Sequence, residues 1–565
     1  MSSIDWVVLL VTLSFIVVYG TLKTRKSKNL DSYLLADKKM KWWAICLSIM
    51  GTQASAITFL SVPGQAYEDG MRFLQFYFGL PLAMIVISIT VVPIYARLKV
   101  YTAYEYLEHR FDLKTRTLAS VLFLIQRGLS TGITIYAPAI VLSSILDWSV
   151  NFTILIIGGL VIIYTFSGGV KAVSVTQNLQ MAIIVAGMFT AGYLIVHYLP
   201  TQVGFLDAIN IAGELGKMNT IDFNFDWNDR YNFWSGITGG FFLALSYFGT
   251  DQSQVGRYLG GANIAESRMG LLFNGLLKIP MQFLILLLGV LLFVFYQFYT
   301  APLFFNQVEE RNVKQSVYAD EYFRLEKKYE MIALQKQQQI ELLSESIRLG
   351  QGDEKNVAKS KLQKLTLATD SLRDAAKKVI LKAQPSADTK DSDYIFISFI
   401  LSKLPKGVVG LLLAVIFCAA MSSTSAGLNS LAATSSIDIY KRLINISNTD
   451  KGYVDITKLL TIFWGLVAIG FAFLASMVDN LIQAVNILGS LFYGTILGIF
   501  LVAFYFKKVG SNAVFIGALI SQFIILVLYF YSPIAFLWYN VIGCFLVIVM
   551  SSLVEELQNA NKKAV

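Results

Sequence analysis

Ser48-Ile49-Met50-Gly51-Thr52-Gln53-Ala54-Ser55 and Ser246-Tyr247-Phe248-Gly249-Thr250-Asp251-Gln252-Ser253 are two copies of one phrase, Ser-x-x-Gly-Thr-x-x-Ser, each set in an otherwise apolar stretch. Hydrocarbon offers the backbone no substitute hydrogen-bond partners, so glycine, hydroxyl and amide groups inside a membrane segment are costly. A polar, glycine-containing break in two corresponding segments points to an intramembrane binding site. A blander reading competes, because Gly and Ser also let membrane helices pack closely. The surroundings of the two copies decide between them.

The chain has 565 residues, 55% of them hydrophobic and 15% charged, with a mean hydropathy of +0.60. That balance describes an integral membrane protein rather than a large soluble one. Thirteen stretches are long and apolar enough to span a bilayer, near 4–22, 43–63, 73–96, 119–146, 152–167, 172–198, 233–254, 270–298, 407–437, 456–475, 481–505, 511–531 and 533–553. The fifth is short. The net charge of +9 invites a nucleic-acid reading, which its placement rejects. Lys23, Arg25, Lys26, Lys28, Lys38, Lys39 and Lys41 fall in the first loop, and Arg97, Lys99, Arg110, Lys114 and Arg116 in the third. Lys441, Arg442, Lys507 and Lys508 follow later spans on that same side. Positive charge marks the cytoplasmic face. This places the N-terminus outside and the C-terminus inside a plasma membrane, with a bacterial inner membrane the expected setting. The first span is not a cleavable signal, since its basic flank follows the apolar run. Cys46, Cys418 and Cys544 all fall in membrane segments and imply no disulfide framework.

Between 306 and 393 the hydropathy collapses and charges of both signs alternate. Residues 308–348 and 355–383 read as two helices, with Gly350-Gln351-Gly352-Asp353 as the break between them. The expected organisation is therefore membrane segments one to eight in 1–305, an extracytoplasmic helical hairpin in 306–393, and segments nine to thirteen in 394–565.

An enzyme is disfavoured. Only His109 and His197 occur, no metal-ligand spacing is present, and no buried nucleophile sits beside a base. The ninth span instead carries Ala419-Ala420-Met421-Ser422-Ser423-Thr424-Ser425-Ala426, then Asn429-Ser430. Adjacent serines point about 100° apart on a helix and cannot both serve one packing seam. Their hydroxyls, with carbonyls freed at a Gly51 break, suit a hard monovalent cation such as sodium. Ionisable groups within spans are functional hypotheses by default. Arg127 and Lys278 are two such groups. Either is able to meet an anionic solute, pair with Asp251, or reach for the inner surface.

These residues resemble the sodium/solute symporter family, which includes sodium–sugar, sialic acid, monocarboxylate, vitamin and iodide cotransporters. The likeness runs through Gly51-Thr52-Gln53-Ala54-Ser55-Ala56-Ile57-Thr58-Phe59-Leu60 and Val62-Pro63-Gly64-Gln65-Ala66-Tyr67. It continues in Thr102-Ala103-Tyr104-Glu105-Tyr106-Leu107-Glu108, Tyr136-Ala137-Pro138-Ala139 and Gly168-Gly169-Val170-Lys171-Ala172-Val173. Gln252-Ser253-Gln254-Val255-Gly256-Arg257-Tyr258 and Asp438-Ile439-Tyr440 complete it. The resemblance implies an all-α membrane fold of the LeuT type: two inverted five-helix repeats, starting at 43–63 and 233–254, with flanking helices. It implies a sodium ion held by carbonyls of Gly51, Ala54 and Ala419 and hydroxyls of Ser422 and Ser423. Substrate-facing positions map to Gln53, Ser55, Thr58, Tyr77, Lys278 and Asn486, with Tyr247 as an inner-gate aromatic. Arg127 falls where the sialic acid transporters place a carboxylate-binding arginine.

Three departures matter. The family phrase Thr-Asp-x-x-Gln reads Thr176-Gln177-Asn178-Leu179-Gln180 here, and a serine that many members carry is Ala426. Members with a second sodium site build it from that Asp and that Ser, so one coupled sodium per cycle is expected. Gly256 stands where the family usually has Gln. The expected function is sodium symport of a small organic solute, most simply an organic anion such as a sialic acid, a sugar acid or a monocarboxylate. A sodium–neutral sugar symporter and a non-transporting sensor of the same fold are the alternatives. Partners are the solute, sodium and membrane lipid, with no nucleic acid.

Overall fold

Residues 1–24, 35, 38–146, 148–385, 387–389, 391–444, 449–475 and 480–564 are described by the computed structural model. Their regular structure is α-helix, with short 3-10 and π stretches and one isolated bridge between Met40 and Gly261. Arg25, Lys26 and Lys28 lie outside the described residues, as do the side chains of Lys23 and of positions 168–172.

Helix α1 (Ser3–Thr24) is followed by α2 (Trp42–Gln53) and α3 (Ala56–Asp69), two halves of one interrupted segment. The sequence suggests a break at Gly51, but it falls at Ala54–Ser55. Gly51 stays helical, Ala54 N–H still reaches Met50 O at 2.7 Å, and Ser55 then turns extended. A 3-10 stretch, Gly70–Tyr77, leads to α4 (Leu80–Ile89), α5 (Val91–Leu98), the short α6 (Glu105–Arg110) and the long α7 (Leu113–Leu146).

Helix α8 is assigned over Val150–His197, 48 residues. A straight helix of that length would run to about 72 Å, more than twice a hydrocarbon core. Tyr164 Oη and Thr176 Oγ1 lie 2.7 Å apart, whereas twelve residues of straight helix separate them by about 18 Å. The segment is therefore sharply bent between Tyr164 and Thr176 rather than one straight helix.

After α9 (Phe205–Glu214) comes the second interrupted segment, α10 (Gly240–Gly249) and α11 (Gln252–Leu259). Its break, at Thr250–Asp251, comes earlier in the repeated phrase than the first one does. Asp251 is the reason: its carboxylate caps α11 by accepting Ser253 N–H at 2.8 Å. Helix α12 (Ile264–Phe298) then leads to α13 (Gln307–Lys314), α14 (Ala319–Leu349) and α15 (Gly352–Ala383). The helix expected from 308 is thus interrupted before Ala319. The reversal falls at Gly350, in a left-handed conformation (φ +71°), with Gly350 N–H on Ile347 O and Gln351 N–H on Ser346 O closing α14. Helices α16 (Ile395–Lys403), α17 (Val408–Thr434), α18 (Asp450–Ala472), α19 (Leu481–Tyr505), α20 (Ser511–Tyr531) and α21 (Leu537–Ala564) complete the chain.

Nine helices among the described residues are long and apolar enough to cross a membrane, and Ser3–Ile16 and Val150–Phe166 are shorter apolar helices. Interrupted segments escape a length criterion because α2 and α10 have only 12 and 10 residues. Helix α17 is buried along almost all its length, packing on α1, α7 and α8. Two family-like motifs meet at one end of the bundle. There Thr102 Oγ1 donates to Asp438 at 2.7 Å, and Arg116 bridges Asp438 (2.8 Å) and Glu108 (2.6 Å). The helical pair α14–α15 docks at the opposite end around its own core of Tyr322, Tyr329, Ala376 and Ile380.

Candidate functional site

The repeated phrase has the same local chemistry in both copies. Thr52 Oγ1 donates to Ser48 O and Thr250 Oγ1 to Ser246 O, each at 2.8 Å. What differs is the partner. Ser246 Oγ bonds Tyr493 O at 2.8 Å, tying the second copy to α19. Ser48 Oγ donates to Gln177 Oε1 at 2.6 Å, tying the first to α8.

Gln177 centres a buried cluster. Its Nε2 donates to Ser422 Oγ (3.0 Å) and Thr52 Oγ1 (3.1 Å), and Ser422 donates onward to Gly51 O at 2.8 Å. Gly51 belongs to the last turn of α2, where carbonyls run out of helical partners. That leaves its oxygen free for Ser422. Ser423, turned about 100° away on α17, donates to Ala419 O at 3.0 Å and faces the neighbouring cavity. Ala54 is fully buried at the break. Gly51, Ala54, Ala419, Ser422 and Ser423 thus sit at or beside the junction of α2 with α17. The carbonyls and hydroxyls of these five residues are all neutral oxygens, and no group of three or more His, Cys, Asp or Glu that could hold a metal ion exists among the described residues. Neutral carbonyl and hydroxyl oxygens fit a hard monovalent cation that must also be released.

Beside this junction lies a cavity of about 130 Å³. All eight side chains singled out for solute in the sequence line it: Gln53, Ser55, Thr58, Tyr77, Arg127, Tyr247, Lys278 and Asn486. One water needs on the order of 10–15 Å³, so the space suits a small organic molecule rather than a lone ion. Gln53 Oε1, Gln126 Oε1, Arg127 Nε and Asn486 Nδ2 are buried without hydrogen-bond partners. Buried polar atoms of that kind call for a ligand or water.

The two cations of the cavity have different surroundings. Arg127 bonds the Asp251 carboxylate through Nη2 and Tyr493 Oη at 3.3 Å, and its guanidinium lies 5.5 Å from the Tyr247 ring centre. Tyr493 Oη also donates to Asp251 at 2.8 Å. Lys278 is only 2% exposed, and no carboxylate among the described residues pairs with it. Its ammonium lies 5.4 Å from the Tyr77 ring centre. Two residues escaped the sequence reading. Tyr493 gave no signal, being one aromatic in an apolar run. Gln177 was visible only as a missing acid, because its partners are 125 to 245 residues away.

A helical membrane bundle with two interrupted helices, a largely apolar cavity carrying a few convergent polar groups and a neutral oxygen junction alongside is the build of an ion-coupled solute carrier. The chain belongs to the sodium:solute symporter family, whose model matches residues 33–320 and 375–521. The unmatched stretch takes in most of α14 and α15. The chain is 24% identical to the sodium/sialic acid symporter NanT of Aliivibrio fischeri, over 99% of this chain and 94% of that protein. It is 24% identical to the sodium/sialic acid symporter SiaT of Proteus mirabilis, over 98% and 95%. It is 26% identical to sodium-coupled monocarboxylate transporter 1 of Xenopus laevis, over 87% of this chain and 66% of that protein. Among solved structures, the substrate-bound outward-open state of a Na+-coupled sialic acid symporter matches with a TM-score of 0.75 at 22% identity, covering 98% of both chains. At that identity the likeness speaks to the fold. Sodium-coupled symport across a membrane, with sodium as the coupling ion, follows from the family.

Proposed function

We propose that this symporter imports a small organic monoanion, of the sialic acid, sugar acid or monocarboxylate class, with one sodium ion per cycle. The observation that carries the reading is the charge of the cavity. Arg127 is neutralised by Asp251, which leaves Lys278 as the cation of this cavity with no carboxylate partner among the described residues. A buried unpaired charge is expensive until an opposite charge arrives, and one free cation matches one carboxylate. Lys278 is thus the anion contact, while Gln53, Asn486 and Gln126 offer hydrogen bonds to the rest of the solute. Arg127, Asp251, Tyr493 and Tyr247 form the latch beneath it.

In this reading thirteen spans form two inverted five-helix repeats with flanking helices, and the N-terminus is outside. Sodium at Gly51, Ala54, Ala419, Ser422 and Ser423 holds the first interrupted helix against α17 and stabilises the state that receives solute. Linkage requires that solute tighten sodium by the same factor. A single sodium is supported by Gln177, whose neutral amide occupies the position of the family's acid, and by Ala426. The Arg127–Asp251 pair opens as the cavity turns inward, releasing solute and sodium to the cytoplasm.

The test is a thermal-shift panel of organic acids and neutral sugars, with and without sodium. Acids should stabilise the protein only with sodium present, and Lys278→Met should weaken acid binding at least tenfold, about 1.4 kcal/mol. Equal acid affinity in Lys278→Met, or stabilisation by neutral sugars alone, would overturn the proposal.

A further inference from the structure

A second, smaller cavity of about 20 Å³ lies between α11 and α17, lined by Gln252, Gly256 and Arg257 on one side and Ala426, Asn429 and Ser430 on the other. It lies apart from the solute cavity, with which it shares no lining residue. Arg257 is 2% exposed, and its described hydrogen bond runs from Nη1 to the neutral Ser174 Oγ at 3.0 Å. The contrast with comparably shielded arginines is sharp. Arg116 bonds Asp438, Arg127 bonds Asp251 and Arg373 bonds Asp391. Arg257 has no such carboxylate among the described residues. Asn429 faces it across the cavity, 2% exposed, with neither side-chain atom hydrogen-bonded.

Gly256 creates this space. Its backbone is not in a region reserved for glycine, and a Cβ there would meet Gln252 Nε2 at an ordinary 3.5 Å. Neither strain nor close packing demands glycine, so its effect is to leave the cavity open where the family usually carries glutamine. A water would satisfy Asn429 but leave the guanidinium charge uncompensated. An anion compensates the guanidinium and accepts from the Asn429 amide N–H, and the volume admits one not much larger than a water molecule.

The geometry points to a small-anion site at Arg257, Asn429 and Gly256, distinct from the solute and sodium sites and independent of which solute is carried. The bound anion neutralises Arg257 and stabilises the packing of α11 on α17 seen here. The chemistry that fits is a compact monatomic single negative charge, a halide.

Purified full-length protein tests this by thermal unfolding at fixed sodium and ionic strength, with chloride or the bulkier methanesulfonate as the anion. Chloride should raise the midpoint over methanesulfonate in a saturable way, and a bromide-soaked crystal should show an anomalous peak within hydrogen-bond distance of Arg257. Gly256→Gln, which fills the cavity without touching the charge, should abolish the chloride response, and Asn429→Leu should weaken it severalfold. Equal stabilisation by methanesulfonate would show a general salt effect and overturn the inference. A chloride response unchanged in Gly256→Gln, or none in the wild type together with no bromide peak, would overturn the inference.

Discussion

Single side chains set the chemistry of the sodium junction, and Gln177 shows how much one amide organises. It satisfies Ser48, Thr52 and Ser422 at once, and through Ser422 it reaches the Gly51 carbonyl. Gln177→Leu keeps the volume but removes three hydrogen bonds, costing the buried Ser48 hydroxyl its short acceptor while Thr52 and Ser422 keep their bonds to Ser48 O and Gly51 O, so it should destabilise the protein by about 1–3 kcal/mol. If the amide orients Ser422 toward sodium, the variant should also lose sodium affinity severalfold while binding solute normally at saturating sodium. Sodium titrations of the variant check this, and an unchanged sodium affinity would remove Gln177 from the site. Much at this scale was legible in advance. The repeated phrase and the serine run identified residues that do meet, and Arg127 with Asp251 was one of three options open to that arginine. What stayed hidden was pairing across the chain. A glutamine in a span reveals a departure from an acid, yet nothing local says which hydroxyls it will bridge. Tyr493 is the clearest miss, since its position beside Asp251 is set by where α19 crosses α10, a packing fact with no local trace.

At the scale of elements, hydropathy anticipated most helix ends within a few residues, because burying backbone in lipid demands long uninterrupted apolar helices. It failed where helices stop inside the bundle. At the first break, Ala54–Ser55, the freed Gln53 carbonyl is met locally, by Ser55 N–H at 2.9 Å and Thr58 Oγ1 at 3.2 Å. The second begins earlier because Asp251 caps α11 itself. The helical pair α14–α15 was legible as a unit from its charge alternation and from Gly350. How it is tied down was not. Arg373, on α15, donates to Asp391 at 2.6 Å and lies over the Phe305 ring, while Phe305 N–H reaches the same carboxylate at 2.8 Å. A second tie joins Lys355 and Lys359 to Glu214 on α9, and these bonds hold the Glu214 carboxyl below its usual range. That tie is complete above the ordinary carboxylate pKa and lost as pH falls through the lowered value. It is half-exposed and weak. Removing Arg373 leaves Asp391 buried and unpaired, which costs about 3–5 kcal/mol. Arg373→Ala should therefore accelerate hydrogen exchange across 319–383 with little change in α17, and unchanged exchange in the hairpin would show that its own core suffices.

For the whole molecule, the stoichiometry and the charge of the solute combine into one electrical property. One sodium and one monoanion carry no net charge, whereas each uncompensated charge moved across 100 mV is worth about 2.3 kcal/mol. Uptake into proteoliposomes should therefore respond to the sodium gradient and not to an imposed potassium-diffusion potential. Strong acceleration by an inside-negative potential would instead require a second sodium or an uncharged solute. The central claim is that a single sodium, held by neutral oxygens where α2 meets α17, drives uptake of an organic anion. The most direct test is solute uptake against sodium concentration in proteoliposomes bearing the wild type or Ser423→Ala. The account predicts a Hill coefficient of about one for the wild type and loss of sodium-driven accumulation in the variant. Undiminished sodium-driven uptake by Ser423→Ala, or a wild-type coefficient near two, would contradict it.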